Sequence, residues 1–165
     1  MQRVYSLLVD NNSGVLSRLS GLFTRRGYNI DSITAGVTAD PRFTRITIVS
    51  SGDEIILSQI EKQIAKLEDV IVVKVLKPEE SVYRELILVK IRANVQQRSE
   101  IVSIADIFRA KIVDAERESL VIELTGTQSK LEAFLQLLDG YEILELARTG
   151  IAGLSRGIKD VTFIE

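Results

Sequence analysis

The sequence predicts an α+β protein of two small domains, each with the order strand, helix, strand, strand, helix, strand. Three observations lead to this prediction. Short alternating or wholly aliphatic runs, typical of strands, recur along the 165 residues. Amphipathic stretches with helical spacing separate these runs. A short polar segment, residues 78–82, is followed by the same order of elements a second time.

The first domain, residues 1–77, begins with the strand-like run RVYSLLVD, and a helix follows from Gly14. The apolar residues that form one face of this helix are Val15, Leu16, Leu19, Leu22 and Phe23. Asn12 or Ser13 is expected to cap the first turn, and Gly27 is expected to end the helix in a left-handed conformation.

Two more strands, a helix and a last strand complete this domain. YNIDSITAGVT and FTRITIVS are the predicted strands, and Asp40-Pro41 marks the turn between them. A second helix is predicted to begin around Asp53, and VIVVKVLK is the closing strand. The residues expected on the inner face of this helix are Ile56, Leu57, Ile60, Ile64 and Leu67.

The second domain, residues 83–165, repeats this order. Its predicted strands are YRELILVKIRA, KIVDAER, SLVIELTG and YEILELAR. Its predicted helices carry an inward set of Ile101, Ile104, Ala105 and Phe108, and after Thr127 a set of Leu131, Phe134, Leu135 and Leu138. The glycine-rich end, ARTGIAGLSRGIKD, breaks all periodicity and is expected to be a surface tail, with a docking segment as the alternative.

Each half therefore fits a four-stranded antiparallel sheet with two helices on one face, the ferredoxin-like βαββαβ arrangement. Runs such as VIVVKV and LILVKI are apolar on both faces of a strand. The sheet face opposite the helices then needs a cover, which is the other domain or another subunit. We expect self-association through the first domains.

Composition narrows the possible functions. A net charge of −2, from 21 basic and 23 acidic residues, lacks the basic excess that nucleic-acid or anionic-membrane binding requires. No apolar run approaches the roughly 20 residues that span a bilayer, and the start does not read as a signal peptide. We therefore expect a cytoplasmic protein that binds neither nucleic acid nor membrane.

The chain contains no histidine and no cysteine. It therefore lacks an imidazole base, a thiol nucleophile and the usual zinc ligands, so we expect no metal site and no catalytic residue. An enzyme that acts through carboxylates or lysine remains the alternative, and turnover by the isolated chain would support it.

The polar corner after the first strand is the strongest candidate site. A helix cap with a turn would explain Asn11, Asn12 and Ser13. The alternative is that the start of the helix exposes backbone N–H groups to a small carboxylate ligand. Gly14 favours a ligand. A glycine in the first turn costs about 1 kcal/mol relative to alanine. Its presence is easiest to explain if a ligand approaches the backbone closely. The stretch lacks the lysine and second glycine of a phosphate-binding loop.

Asn29 follows the same helix and has two readings. It can be a simple turn residue, or its amide can both donate to and accept from the charged groups of an amino acid.

The runs NNSGVLSRLSGLFTRRGYNIDSIT, RITIV, RELILVKI and ARTGIAGLSRG, in this order, resemble the small, regulatory subunits of acetolactate synthase (acetohydroxyacid synthase). The resemblance covers almost the whole chain. It implies that residues 1–77 are an ACT domain, which senses amino acids, and that the rest is the carboxy-terminal domain of this family.

The resemblance also implies a function. The chain would not be an enzyme by itself; it would bind and activate a large catalytic subunit and confer feedback inhibition by a branched-chain amino acid, usually valine. Thiamine diphosphate, magnesium and FAD would belong to that partner, and this chain would hold no cofactor. A stand-alone amino-acid sensor is the alternative, which co-purification with a large subunit would exclude.

The effector residues that the family's motifs select lie in two groups. The first is the loop after the first strand, and the second is the second strand of the neighbouring subunit in a homodimer formed by the ACT domains. In this sequence they are Asn11, Ser13, Gly14, Val15 and Leu16 in the first group and Asn29 and Ile30 in the second. Gly36 departs from the alanine that is usual in the family's small-residue stretch, which bears on effector affinity.

Overall fold

The computed structural model describes residues 1–162 and divides the chain into two units. The first unit is Met1–Tyr83 with the described residues from Ile151 onward, and the second is Arg84–Gly150. Each contains an antiparallel sheet with two helices packed on one face. The predicted fold class, α+β with two ferredoxin-like βαββαβ domains, is confirmed.

The apolar residues that alternate along the strands of the first unit lie between its sheet and its helices. Its elements are β1 (Gln2–Asp10), α1 (Val15–Arg26), β2 (Ser32–Val37), β3 (Phe43–Ser51), α2 (Glu54–Ala65) and β4 (Val70–Leu76). The strands are ordered β2-β3-β1-β4, and every neighbouring pair is antiparallel. Because alternate strand residues point to one face, Tyr5 and Leu7 of β1 and Ile46 and Ile48 of β3 are fully buried beneath α1 and α2.

The helix boundaries follow from local chemistry. Asp53 caps α2 by accepting the Ile56 N–H at 2.8 Å, so this helix begins where the sequence predicts. Gly27 ends α1 with a left-handed φ of 68°, also as predicted. Two apolar residues that were expected on inner faces are exposed: Leu16 is 50% exposed and Ile56 is 36% exposed.

The second strand begins at Ser32 rather than at Tyr28, so its predicted start is wrong. The Tyr28 ring packs edge-on against Phe23, with 5.8 Å between ring centroids. Residues 28–31 therefore serve to close the end of α1 onto the core before the strand begins.

The second unit repeats the topology of the first. A 3₁₀ turn, Pro78–Glu80, precedes β5 (Ser81–Arg92), α3 (Val95–Ile107), β6 (Lys111–Ala115), β7 (Ser119–Gly126), α4 (Gln128–Leu137) and β8 (Ile143–Arg148). The strand order is β6-β7-β5-β8. Ile87, Val89 and Ile91 are fully buried, and Ile101 and Phe134 of the two helices pack against them as predicted.

The second sheet is not apolar on both faces. Lys90 alternates with the buried residues of β5, and its ammonium lies 3.4 Å from Glu145 on β8. Lys90 and Glu145 lie opposite each other on the face away from the helices. The expectation that the LILVKI strand is apolar on both faces is therefore wrong at this position.

The chain returns to the first unit after the second. β9 (Ala152–Ser155) pairs with β5, and the Arg156 N–H donates to the Glu80 carbonyl at 2.8 Å. Ile151 joins a small apolar cluster on the first sheet's other face, with Val4, Val49, Leu76 and Tyr83. Burial of this otherwise open face is a physical reason for the return. This grouping differs from the sequence-based division, which kept residues 83–165 together and assigned 78–82 to a linker.

Part of the segment expected to be a surface tail is therefore a strand.

The longest helix, α3, has 13 residues, and no helix within residues 1–162 is long and apolar enough to cross a membrane.

Candidate functional site

The first corner, residues 11–14, joins the end of β1 to the start of α1. Two backbone hydrogen bonds shape it: the Asn11 N–H donates to the Arg42 carbonyl at 2.8 Å, and the Asn12 N–H donates to the Asp10 carbonyl at 2.9 Å. The first bond fastens the corner to the hairpin between β2 and β3. The corner is therefore fixed in place at the end of the inner strand β1.

Asn11 reinforces this attachment with its side chain. Its Nδ2 donates to the Pro41 carbonyl at 3.0 Å, and its Oδ1 accepts from the Thr44 hydroxyl at 3.1 Å. Both ends of the amide thus bind the β2–β3 hairpin. Within this chain Asn11 positions the corner.

Gly14 is the N-cap residue of α1 and has a left-handed φ of 85°. Residues with a Cβ rarely adopt this conformation, so the turn itself explains the glycine. The sequence-based reason, a close approach of a ligand to the first turn, is not needed. The expectation that Asn12 or Ser13 caps the helix is wrong, because both precede the N-cap position, and no side chain caps α1.

The start of α1 consequently presents unpaired donors. The Arg18 N–H makes the first intrahelical bond, to the Gly14 carbonyl at 2.9 Å. The backbone N–H groups of the preceding helical residues have no partner within the helix. The first turn also contains no acidic residue. These donors and the positive end of the helix dipole favour an anion such as a carboxylate.

A pocket of about 240 Å³ opens at this corner. It is lined by residues 9–16 together with Thr44 and Ile46 of β3. Val9 and Ile46 are buried and apolar, whereas Leu16 is half exposed. The volume lies below the roughly 300–1,000 Å³ of drug-sized ligand sites, so the pocket suits a small metabolite with an apolar part.

The structure brings the first group of predicted site residues together but not the second. Asn11, Ser13, Gly14, Val15 and Leu16 all line the pocket. Asn29 and Ile30 follow the other end of α1, a helix of 12 residues. At 1.5 Å per residue the helix separates the two groups by about 18 Å.

The second group has local partners in this chain. The Asn29 amide donates to the Asp31 carboxylate, and the Asn29 carbonyl accepts from the Ser50 hydroxyl. Ile30 is half-buried against the first core. Gly36 lies on the exposed edge strand β2, where an added Cβ would meet nothing within 4 Å. Its departure from alanine therefore has no steric consequence within the chain.

An ion pair that was not predicted from the sequence lies beside the corner. The Arg18 Nε lies 2.6 Å from Oδ2 of Asp69, a residue just before β4. The Arg18 guanidinium holds the pKa of the Asp69 carboxyl below its usual range, chiefly through this hydrogen bond. The available signal was a cation in the first turn of a helix, where it is unfavourable without an acidic partner.

The equivalent corner of the second unit, residues 93–94 before α3, is the second corner. Asn94 is the N-cap, and its Oδ1 accepts the Gln97 N–H at 2.8 Å. The Gln97 side chain in turn accepts the Asn94 N–H at 3.2 Å. This capping box uses donors that the first corner leaves open.

Comparison with known proteins agrees with this architecture. Residues 5–72 match the family described as the AHAS small subunit-like ACT domain. Residues 84–157 match the family described as the small subunit of acetolactate synthase.

Individual relatives match along almost their whole length. The acetolactate synthase isozyme 3 small subunit of Escherichia coli is 48% identical over 160 residues, covering 96% of this chain and 98% of that protein. The acetolactate synthase small subunit of Mycolicibacterium smegmatis is 46% identical over 156 residues, covering 94% of this chain and 92% of that protein.

A solved structure gives the same result. The crystal structure of the acetolactate synthase small subunit from Thermotoga maritima superposes with a TM-score of 0.88 at 42% identity, covering 96% of this chain and 99% of that one. Two family matches, near-complete relatives and a near-complete structural match agree on one assignment. This chain belongs to the acetolactate synthase small-subunit family.

Proposed function

We propose that the chain is the regulatory subunit of acetolactate synthase, which activates a catalytic large subunit and makes it sensitive to a branched-chain amino acid, with valine as the effector. The observation that carries the effector assignment is the first corner: unpaired helix donors beside a small pocket with an apolar wall. The amide donors suit the effector carboxylate, and Val15 and Leu16 suit its aliphatic side chain.

The chemistry of acetolactate formation is assigned to the partner. Thiamine diphosphate, magnesium and FAD are proposed to lie in the catalytic subunit, and this chain acts by binding that subunit. A cytoplasmic location follows from the same role in amino-acid biosynthesis.

A homodimer of ACT domains would complete the effector site. β2 is an edge strand, and its apolar residues Ile33 and Val37 are 40% and 61% exposed. An exposed apolar edge favours pairing with another chain. A two-fold contact there would bring Asn29 and Ile30 of one chain to the first corner of the other, which would overcome their separation within one chain.

The decisive experiment titrates this chain into the catalytic subunit and follows acetolactate formation with and without valine. We expect no synthase activity from the chain alone, activation on mixing, and reversal of that activation by valine. Leucine and isoleucine serve as matched ligands, because one methylene changes affinity by only about 1–3 kcal/mol.

Two results would contradict the proposal. Turnover by the isolated chain would make it an enzyme. Valine binding without any effect on the catalytic subunit would favour a stand-alone sensor.

A further inference from the structure

Asp69 holds both ends of the first corner although it does not line the pocket. Its backbone carbonyl accepts the Asp10 N–H at 2.9 Å, and its Oδ2 lies 2.6 Å from the Arg18 Nε. Asp10 ends β1 and Arg18 lies in the first turn of α1. The two bonds therefore bracket residues 11–14, and one residue of the turn before β4 sets the distance between the ends of this loop.

The Arg18 side chain lies directly beside the corner. A helical side chain leans toward the amino terminus of its helix, and Nη1 of Arg18 is 3.0 Å from the position that a Cβ on Gly14 would occupy. The guanidinium thus fills the space that Gly14 leaves empty. The Asp69 carboxylate is 12% exposed and the Arg18 side chain is 51% exposed, so the pair is only partly screened by water.

Electrostatics makes this position of Arg18 dependent on Asp69. A cation near the start of a helix faces the positive end of the helix dipole, which repels it. The Asp69 carboxylate offsets that repulsion. Without the carboxylate, hydration by solvent and repulsion from the helix dipole would both favour a position of the guanidinium away from the corner.

The second unit uses the equivalent arginine differently. Arg98 stands four residues after its N-cap residue, Asn94, just as Arg18 stands four residues after Gly14. The Nη2 of Arg98 donates to the backbone carbonyls of Glu116 and Arg117. The pairing of this arginine with a carboxylate is therefore a feature of the first corner rather than a requirement of the fold.

We propose that Asp69 and Arg18, whose ion pair we call the clamp, are positioning residues that fix the first corner in the shape that binds the effector. They hold the unpaired amides at the start of α1 in place without contacting the ligand, so the corner loses less conformational freedom when the ligand binds. This inference rests on the proposed function of the corner.

The test compares two variants that each remove one carboxylate charge. Asp69→Asn keeps the side-chain shape and the backbone carbonyl. Glu54→Gln is the matched control, because Glu54 pairs with Arg3 at 2.7 Å in the same unit but outside the pocket lining. The readouts are calorimetric titration of the full chain with valine and hydrogen exchange of the corner amides that have an acceptor. Those amides belong to Asp10, Asn11, Asn12 and Arg18.

We expect Asp69→Asn to speed exchange of these hydrogen-bonded amides and to weaken valine binding about fivefold to tenfold. Glu54→Gln should change valine affinity less than about twofold. Arg18→Gln removes the same clamp from the other side, so it should reproduce the loss and replaces Asp69→Asn if that variant fails to fold.

Failure of the clamp and failure of the proposed function are distinguishable. Wild-type affinity and exchange in both clamp variants would overturn the clamp while leaving the effector site intact. An equal loss of affinity in Glu54→Gln would also overturn it, since the effect would then be one of general stability. If the wild-type chain binds none of valine, leucine and isoleucine, the proposed function falls and this inference falls with it.

Discussion

The first corner and the second corner occupy equivalent places in two sheets of the same strand order, yet one helix start is open and the other is closed. At the first corner Gly14 provides a left-handed turn and no capping side chain. At the second corner Asn94 and Gln97 satisfy each other's backbone donors. The open helix start adjoins the pocket of about 240 Å³. The fold thus supplies the location, and the residue at the N-cap decides whether donors remain for a ligand.

The resemblance between the units extends to a shared irregularity. The pairing of β1 with β4 shifts between Leu8 and Val9, and the pairing of β5 with β8 shifts between Lys90 and Ile91. Bulges of this kind bend a strand locally. Since the sheets agree even in this detail, the difference arises within the corners themselves, which contain four and two residues and have N-cap φ angles of 85° and −78°.

The largest expected effect is that of a charge at the first corner. Gly14→Asp places a carboxylate where the effector carboxylate is proposed to bind. Two like charges side by side cost several kcal/mol, which corresponds to a loss of more than about a hundredfold in affinity. Gly14→Asn carries the same backbone strain at a φ of 85° without the charge. Valine inhibition of the assembled enzyme should be lost in the first variant and only weakened in the second.

Gly140→Asp is the control for strain and charge together. Gly140 has a φ of 94° and open space around its Cβ position, and it lies in the second unit. This variant should lower stability and keep valine inhibition. Unchanged valine sensitivity in Gly14→Asp would remove the first corner from the effector site.

The next effect concerns Asn29, at the far end of α1. If the ligand bridges two chains, it must tighten the dimer by RT ln(1 + [L]/Kd), about 2.7 kcal/mol per site at a hundredfold excess over Kd. Asn29→Ala should abolish this stabilisation as Gly14→Asp does. Sedimentation of dilute protein with increasing valine measures it. Valine binding that leaves the monomer–dimer equilibrium unmoved would place the whole site within one chain.

A smaller effect compares the two helix starts directly. Asn94→Ala removes a capping side chain and should lower the free energy of unfolding by about 1 kcal/mol. Ser13→Ala removes a hydroxyl that caps nothing in α1, and it should stay within about 0.5 kcal/mol of the wild type. Urea unfolding of both variants provides the measurement. Equal losses would show that Ser13 supports its helix in solution.

The smallest effect is the response of an exposed ion pair to acid. The Arg3 guanidinium holds the pKa of the Glu54 carboxyl below its usual range, mainly through their hydrogen bond. A carboxyl whose folded-state pKa is depressed contributes stability above its unfolded pKa, about 4.3. That contribution disappears as the pH falls through the folded-state value.

Glu54→Gln should therefore be slightly less stable than the wild type at pH 7, and the difference in urea unfolding should shrink as the pH falls below about 4.3. Glu145→Gln, which removes the longer 3.4 Å pair with Lys90, serves as the matched variant in the second unit and should show a smaller difference at pH 7. A stability difference for Glu54→Gln that does not shrink as the pH falls would assign it to packing instead.

The sequence by itself determined the α+β class, the repeated order of elements and most core residues. Strand and helix periodicities place apolar side chains on one face of an element, whatever that element packs against. It also determined the left-handed end of α1 at Gly27 and the start of α2 around Asp53, which depend on neighbouring residues alone. The first corner was likewise recognisable from its run of small polar residues.

Only the tertiary structure decided which corner residue is the N-cap, since that depends on the φ of Gly14 within a turn fastened to the β2–β3 hairpin. It alone paired Arg18 with Asp69, which lie 51 residues apart in the sequence. It also returned Ile151 to the first sheet, where the burial of an apolar face outweighs proximity along the chain. Contacts between distant residues leave no periodic signal in a sequence, and the shape of the candidate site is made of such contacts.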